Sequence, residues 1–145
     1  MNHLSSMMLV LGTTNAGKQQ ELTALLEPFQ IECRSLKDFE SAVRVAETGN
    51  TFADNAALKA IQQAQALNHW VLAEDSGLVV EALDGSPGVY SARFAGPEAS
   101  DDDNNALLIE QLTDVPSSGR IAYYACHATL AAPDGTIKAI AEGRC

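Results

Sequence analysis

Trp70-Val71-Leu72-Ala73-Glu74-Asp75-Ser76-Gly77-Leu78-Val79-Val80 is the stretch from which the fold of this chain is read. Trp70–Ala73 reads as a short buried strand, and the two acids that follow fall where that strand ends. Ser76-Gly77 reads as a break, Leu78–Leu83 as a second strand, and Asp84-Gly85-Ser86-Pro87-Gly88 as a loop. An apolar strand ending in two carboxylates carries charge to a sheet edge, where it must be solvated, paired or bound to a metal. Asp75 is the better placed for chemistry, and Glu74 is read as the acid free to be solvated.

Upstream, Thr51 is positioned to cap a helix, with Asp54 three residues on as a shorter form of the capping-box acid. Phe52, Ala56, Ala60, Ile61, Ala64 and Leu67 then recur at mostly helical spacing, so the helix should run to about Asn68. Nearer the start, Met7–Leu11 suits a buried strand that ends at Gly12 and delivers a loop. From Lys18 to Phe29, the spacing of Leu22, Leu25, Leu26 and Phe29 predicts a helix with one stripe on a core, closed by Pro28. Ile31–Ser35 resembles another strand.

Downstream, Ser100 before Asp101, Asp102 and Asp103 is a helix start, with Leu107, Leu108 and Leu112 as its apolar side. Arg120–Leu130 and Thr136–Ala141 read as two strands joined through Ala132-Pro133-Asp134-Gly135. Crossover helices join parallel strands, whereas a hairpin is antiparallel. The expected fold is therefore α/β, a mixed twisted sheet flanked by helices. With no repeat, low-complexity tract or linker, residues 1–145 read as one domain.

A chain of 145 residues that is 46% hydrophobic has enough apolar material for one buried core. Nine basic against nineteen acidic residues give a net charge of −10, which argues against a nucleic-acid polymer as partner. Any phosphate ligand would then need local lysines and a metal. Cys33, Cys126 and Cys145 are odd in number and lack metal-ligand spacing, and Met1–Met8 lacks a charged start and a long apolar run. No stretch is long and apolar enough to span a bilayer, so no membrane partner is expected and the cytoplasm is the expected compartment. Cys33 and Cys126 fall in strand-like runs and read as small core residues.

Gly12-Thr13-Thr14-Asn15-Ala16-Gly17-Lys18 sits between strand and helix, which sets backbone N–H groups, hydroxyls and an ammonium near a helix N-terminus, where an anion is favoured. It lacks the glycine spacing and Lys-Ser/Thr ending of a Walker loop. Taken alone, it reads first as a turn using Gly and Asn for backbone reasons, with a solvated lysine. Glu47 reads alone as a loop residue, Asp54 as a helix-start acid, Lys59 as part of a polar helix face, and Arg93 as a partner for a carboxylate or a phosphate. His69 and His127 form no ligand pair at short spacing and are read as structural. The Asp101–Asp103 run is read as a charged helix start rather than a metal site.

Five ordered blocks carry a resemblance: 13–18, Glu47-Thr48-Gly49-Asn50-Thr51-Phe52-Ala53-Asp54-Asn55-Ala56, Lys59-Ala60, Ala73–Leu78, and Gly85–Gly96. In order and approximate spacing the chain resembles the inosine triphosphate pyrophosphatase family from about Met7 onward. The resemblance implies hydrolysis of inosine, deoxyinosine and xanthosine triphosphates to the monophosphate and pyrophosphate, with Mg²⁺ as cofactor and a homodimer as assembly. It implies that Lys18 and Lys59 neutralise phosphate, that Glu47, Asp75 and Glu74 hold the metal, and that Asp75 orients or deprotonates water. Asp75 and Lys18 are then the catalytic pair, and Thr13, Thr14, Asn15, Lys18, Lys59, Ser76 and Arg93 contact substrate.

Thr14 stands where the family usually has glycine, and Glu74 where aspartate is common. The sequence stops at Glu142-Gly143-Arg144-Cys145, whereas the family continues into an aromatic that stacks on the base and a Ser-His-Arg segment that reads it. The C-terminal base-reading part is therefore expected to be missing. That leaves three readings: an active but less selective pyrophosphatase, a catalytically silent homologue that binds nucleotide, phosphate or a protein, and a different phosphatase or septum-inhibitor-like nucleotide pyrophosphatase.

Overall fold

The computed structural model describes residues 7–145. The reading of a missing leader over Met1–Met8 bears mainly on residues 1–6, outside that range. Five strands, β1 (Met8–Leu11), β2 (Glu32–Ser35), β3 (Val71–Val80), β4 (Ala122–Ala131) and β5 (Ile137–Arg144), form one sheet in the order β2-β1-β3-β4-β5. Three helices, α1 (Ala16–Leu26), α2 (Phe52–Leu67) and α3 (Asp101–Gln111), accompany them. β1 runs parallel to β2 and β3, while β3, β4 and β5 are successively antiparallel. The mixed sheet inferred from strand and helix alternation is the sheet observed. Its last hairpin turns through Ala132–Gly135, with the Ala132 N–H donating to Thr136 O at 2.9 Å and Gly135 at φ +88°.

The stretch read as two strands is one. β4 pairs with every residue from Val71 to Val80, so the ladder overrides the local Ser76-Gly77 signal. Gly77 serves close approach instead: a Cβ there would lie 2.6 Å from Ser91 Oγ and 2.9 Å from Phe52 Cε1. Glu81–Leu83, read as the end of a strand, is a 3₁₀ turn. Glu74 and Asp75 are therefore mid-strand on the central strand, and the strand that ends beside them is β1, which pairs with β3 only at Val71 and Leu72. From Ala73 onward β3 runs past the Gly12–Asn15 loop.

Side chains alternate along a strand, so the odd-numbered residues of β3 face one side of the sheet and the even-numbered ones the other. The core lies on the odd side. Val71 and Ala73 pack with Val10, Leu36 and Ala131 of the sheet side and with Ala60, Ala64 and Leu67 of α2. Each fully buried aliphatic such as Val10 or Val71 contributes about 1.5–3 kcal/mol. The small α2 residues let helix and sheet approach closely, in keeping with the expected stripe. Thr51 Oγ1 accepts from the Asp54 N–H at 3.1 Å, as its capping role requires, and the helix stops at Asn68 in the left-handed region, φ +53°.

The α1 stripe is less buried than its periodicity predicts: Leu25 is 62% and Phe29 71% exposed, and no α1 residue is fully buried. Four-residue β2 at the sheet edge offers little surface to cover them. Cys33 and Cys126 are half-buried rather than core residues. α3 starts as expected, with Ser100 and Asp103 exchanging side-chain to backbone hydrogen bonds at 3.1 and 2.9 Å. Among the described residues, no helix is long and apolar enough to cross a membrane.

Candidate functional site

The alternation of β3 separates its two acids. Asp75 points to the α2 side, where Lys59 Nζ lies 3.7 Å from its Oδ1 and 3.0 Å from Glu47 Oε1. Glu74 points to the other side, where Lys18 Nζ lies 3.2 Å from its Oε2 and donates to Ser76 Oγ at 2.9 Å. Each face therefore carries one lysine held by carboxylate, and the Gly12–Lys18 loop runs between them. The expected solvation of Glu74 is reversed, since it is buried at 8% exposure. The expected trio of Glu47, Glu74 and Asp75 around one ion is not assembled, because consecutive strand residues cannot share a face. Among the described residues, no three His, Cys, Asp or Glu side chains gather closely enough to hold a metal by themselves.

The loop is set by its glycine and its cap. A Cβ on Gly12 would lie 3.0 Å from Val71 Cγ1 and 3.1 Å from Ala73 Cβ, and the Gly12 N–H donates to Leu72 O at 2.8 Å, so the loop leaves the sheet pressed against β3. Asn15 Oδ1 caps α1 by accepting from the Lys18 N–H at 3.1 Å, while the Asn15 N–H donates to Thr13 Oγ1 at 3.1 Å. This orders the first turn and aims Lys18 across the end of β1. Thr13 and Thr14 line a cavity of about 550 Å³ with Glu47, Lys59, Lys37 and Arg44. Asn15, Lys18 and Ser76 line a second, of about 460 Å³, with Phe94 and Tyr124 at its apolar side. Four of the nine basic residues of an acidic chain thus stand around these two concavities.

Asp75 is electrostatically distinct. Its side chain is 13% exposed, and its Oδ2 is buried without a hydrogen-bond partner. Burial pushes the carboxyl above its ordinary range, Lys59 pulls it back and Glu47 pushes it up again. An unpartnered buried carboxylate oxygen next to a second carboxylate fits a cation that also takes oxygens from a ligand.

Some expected residues lie elsewhere. Arg93 stacks over the Tyr90 ring at 5.2 Å and lines neither cavity. His69 packs on Phe39, with ring centroids 5.2 Å apart. His127 pairs across the ladder with Asp75, stacks on Phe52 and lies 3.5 Å from Glu142 Oε2.

Three buried amides have roles that the sequence alone does not assign. Asn55 Oδ1 accepts from the Gly49 N–H at 2.7 Å, and Gln63 accepts from Val43 N at 3.0 Å while donating to its carbonyl, so both tie the Glu47 segment to α2. Asn104 accepts from Ala95 N at 2.8 Å and donates to Ala92 O at 3.2 Å, fixing the segment after Gly88. The signal for Asn55 and Gln63 was present: polar residues beside or within an alanine stripe must find partners where they are buried.

The model of the Ham1 family matches residues 9–145. The chain is 50% identical over 137 residues to the dITP/XTP pyrophosphatase of Rhodopirellula baltica, covering 94% of this chain and 66% of that protein. To the dITP/XTP pyrophosphatase of an Exiguobacterium species it is 51% identical over 140 residues, covering 94% and 70%. Among solved structures, a HAM1 protein from Coxiella burnetii superposes with a TM-score of 0.86 at 32% identity, covering 95% of this chain and 70% of that one. The Mycobacterium abscessus nucleoside-triphosphatase / dITP/XTP pyrophosphatase gives 0.81 at 38% identity, covering 95% and 72%. The chain thus spans 66 to 72% of the length of these proteins.

Proposed function

The chain belongs to the Ham1 family, and we propose that it hydrolyses non-standard purine nucleoside triphosphates, those of inosine, deoxyinosine and xanthosine, to the monophosphate and pyrophosphate with Mg²⁺. The observation that carries this reading is the pair of lysine–carboxylate clusters beside the Gly12–Lys18 loop, one of them containing the unpartnered Oδ2 of Asp75. Asp75 and Glu47 would hold the cation, two carboxylates being enough where substrate phosphates complete the shell. When bound, Mg²⁺ supplies charge neutralisation at the phosphates. In this reading Glu74 is not a ligand, and its part is to hold Lys18.

Lys18 and Lys59 bind phosphate oxygens, Asn15 orders the loop that carries Lys18, and Thr13, Thr14 and Ser76 offer hydroxyls. Asp75 accepts a proton from the water that attacks the α-phosphorus, as the bond from that phosphorus to the bridging oxygen breaks and pyrophosphate leaves. Asp75 suits this task by its place, a carboxylate beside Lys59 and Glu47 with one oxygen, Oδ2, left unpartnered. Positioning and charge neutralisation carry such a reaction without a covalent nucleophile. A cytoplasmic setting belongs with this reading.

Pyrophosphate release from inosine, deoxyinosine, xanthosine and adenosine triphosphates, with Mg²⁺ and with EDTA, tests it. Release is expected with Mg²⁺ and should stop with EDTA. Nucleotide binding without any release would favour the silent homologue, and orthophosphate in place of pyrophosphate would favour a different phosphatase. The groups gathered at the two clusters meet what every nucleoside triphosphate shares. For the 145-residue chain itself, the preference for inosine over adenosine triphosphate is expected to stay below about tenfold.

We also propose a homodimer. This rests on the assembly that the resemblance implies, and the exposed apolar side chain of Ile140 on β5, at 65%, offers surface for it. Light scattering at micromolar concentration is expected to give two chains per particle, and a monodisperse monomer would reject this.

A further inference from the structure

On the even-numbered side of β3, the buried Glu74 carboxylate receives two donors on one oxygen. Lys18 Nζ lies 3.2 Å from Oε2, and the Cys126 thiol donates to the same atom at 2.9 Å. Cys126 stands on β4 directly opposite Ser76, so strand register places its thiol beside the even-numbered side chains. Building on the phosphate-binding role of Lys18, we propose that Cys126 is a positioning residue whose thiol holds the Glu74 carboxylate so that Lys18 is aimed at a triphosphate oxygen without being locked to the protein.

The physical need is clear from burial. Glu74 is 8% exposed, and a buried carboxylate with one cationic partner binds it firmly. When Lys18 turns toward phosphate, that carboxylate would lose its compensation, and leaving a buried acceptor unsatisfied costs affinity. A second donor on the same oxygen reduces this cost and keeps the carboxylate from rotating after the lysine. The thiol suits the role because it remains protonated. Burial, then the hydrogen bond and charge of Glu74, push it up to about 11, so it is a donor rather than a nucleophile.

Two measurements test the proposal. Inorganic tripolyphosphate with Mg²⁺ is titrated calorimetrically into the parent, Cys126→Ala and Cys126→Ser. Alanine is expected to weaken Kd by about three- to tenfold, and serine, which keeps a donor, to restore it to within about twofold. Alanine binding as tightly as the parent, or serine binding as weakly as alanine, overturns the proposal.

Separately, iodoacetamide labelling of Cys126 is followed by peptide mass spectrometry in the parent and in Glu74→Gln. Removing the carboxylate lowers the thiol toward its ordinary range, and labelling should accelerate by roughly tenfold for each unit of that fall. Unchanged labelling would show that Glu74 does not hold the thiol. Labelling reads the geometry without phosphate chemistry, so a chain that hydrolyses no nucleotide would sink the pyrophosphatase reading and leave this test standing.

Discussion

Asp75→Asn is expected to lower turnover of inosine triphosphate by about a hundredfold or more, with the circular dichroism spectrum unchanged. The substitution keeps shape and removes the negative charge, and with it both the proposed proton acceptor and one of the two carboxylates proposed to hold the cation. The same variant should be no less stable than the parent in EDTA near neutral pH. The Asp75 carboxyl is raised in the folded chain, chiefly by burial, so its ionisation there is harder than in the unfolded chain. Stability from this group is fully present below the ordinary Asp range and is lost as pH rises through the raised value. Asparagine mimics the protonated form at every pH, so the two melting temperatures should converge as pH falls toward that range and separate above it. Added Mg²⁺ should then raise the melting temperature of the parent and not of the variant. Turnover equal to the parent's would reject Asp75 as the acting base, and a variant that melts lower in EDTA at neutral pH would show that its carboxylate is stabilising as it stands.

The two clusters also explain what was legible in the sequence. Thr51, Ser100 and Asn68 act locally, through caps within three residues or through their own backbone angles, and local chemistry is what a sequence displays. Asp75 stood out because an ionisable residue after an apolar run needs an explanation wherever the strand ends. Its separation from Glu74 is legible only once β3 is known to continue past Ser76-Gly77. Read as a strand end, the two acids share an edge; read as mid-strand, they alternate to opposite faces, and that distinction depended on β4, about fifty residues away, which pairs across Ser76-Gly77. The link from Cys126 to Glu74 depends on the same long-range register, and no local pattern announces it. Arg93 shows what local spacing leaves out: the sequence allows a carboxylate or a phosphate partner, and the structure sets the guanidinium over the neighbouring Tyr90 ring.

Gly77→Ala is expected to cost about 3 kcal/mol of folding stability, a fall in melting temperature on the order of 10 °C for a domain of this size. The added Cβ would overlap Gly88 O, lie 2.6 Å from Ser91 Oγ and lie 2.9 Å from Phe52 Cε1. None of these can retreat cheaply. Ser91 Oγ donates to Gly88 O at 2.6 Å and accepts from the Leu78 N–H at 2.9 Å, so moving it breaks two partly buried hydrogen bonds. Phe52 is the first residue of α2 and stacks on His127, so displacing it tilts the helix that carries Lys59 toward Asp75. Activity should therefore fall with stability even at temperatures where the variant remains folded. Gly143→Ala on β5 is the matched control: no atom lies within 4 Å of its would-be Cβ, and its melting temperature should stay within about 2 °C of the parent. If both alanines melt alike, close approach at Gly77 is not what holds β3, the Gly88 segment and the start of α2 together, and the continuous strand would owe its straight passage through Ser76-Gly77 to the β4 ladder alone.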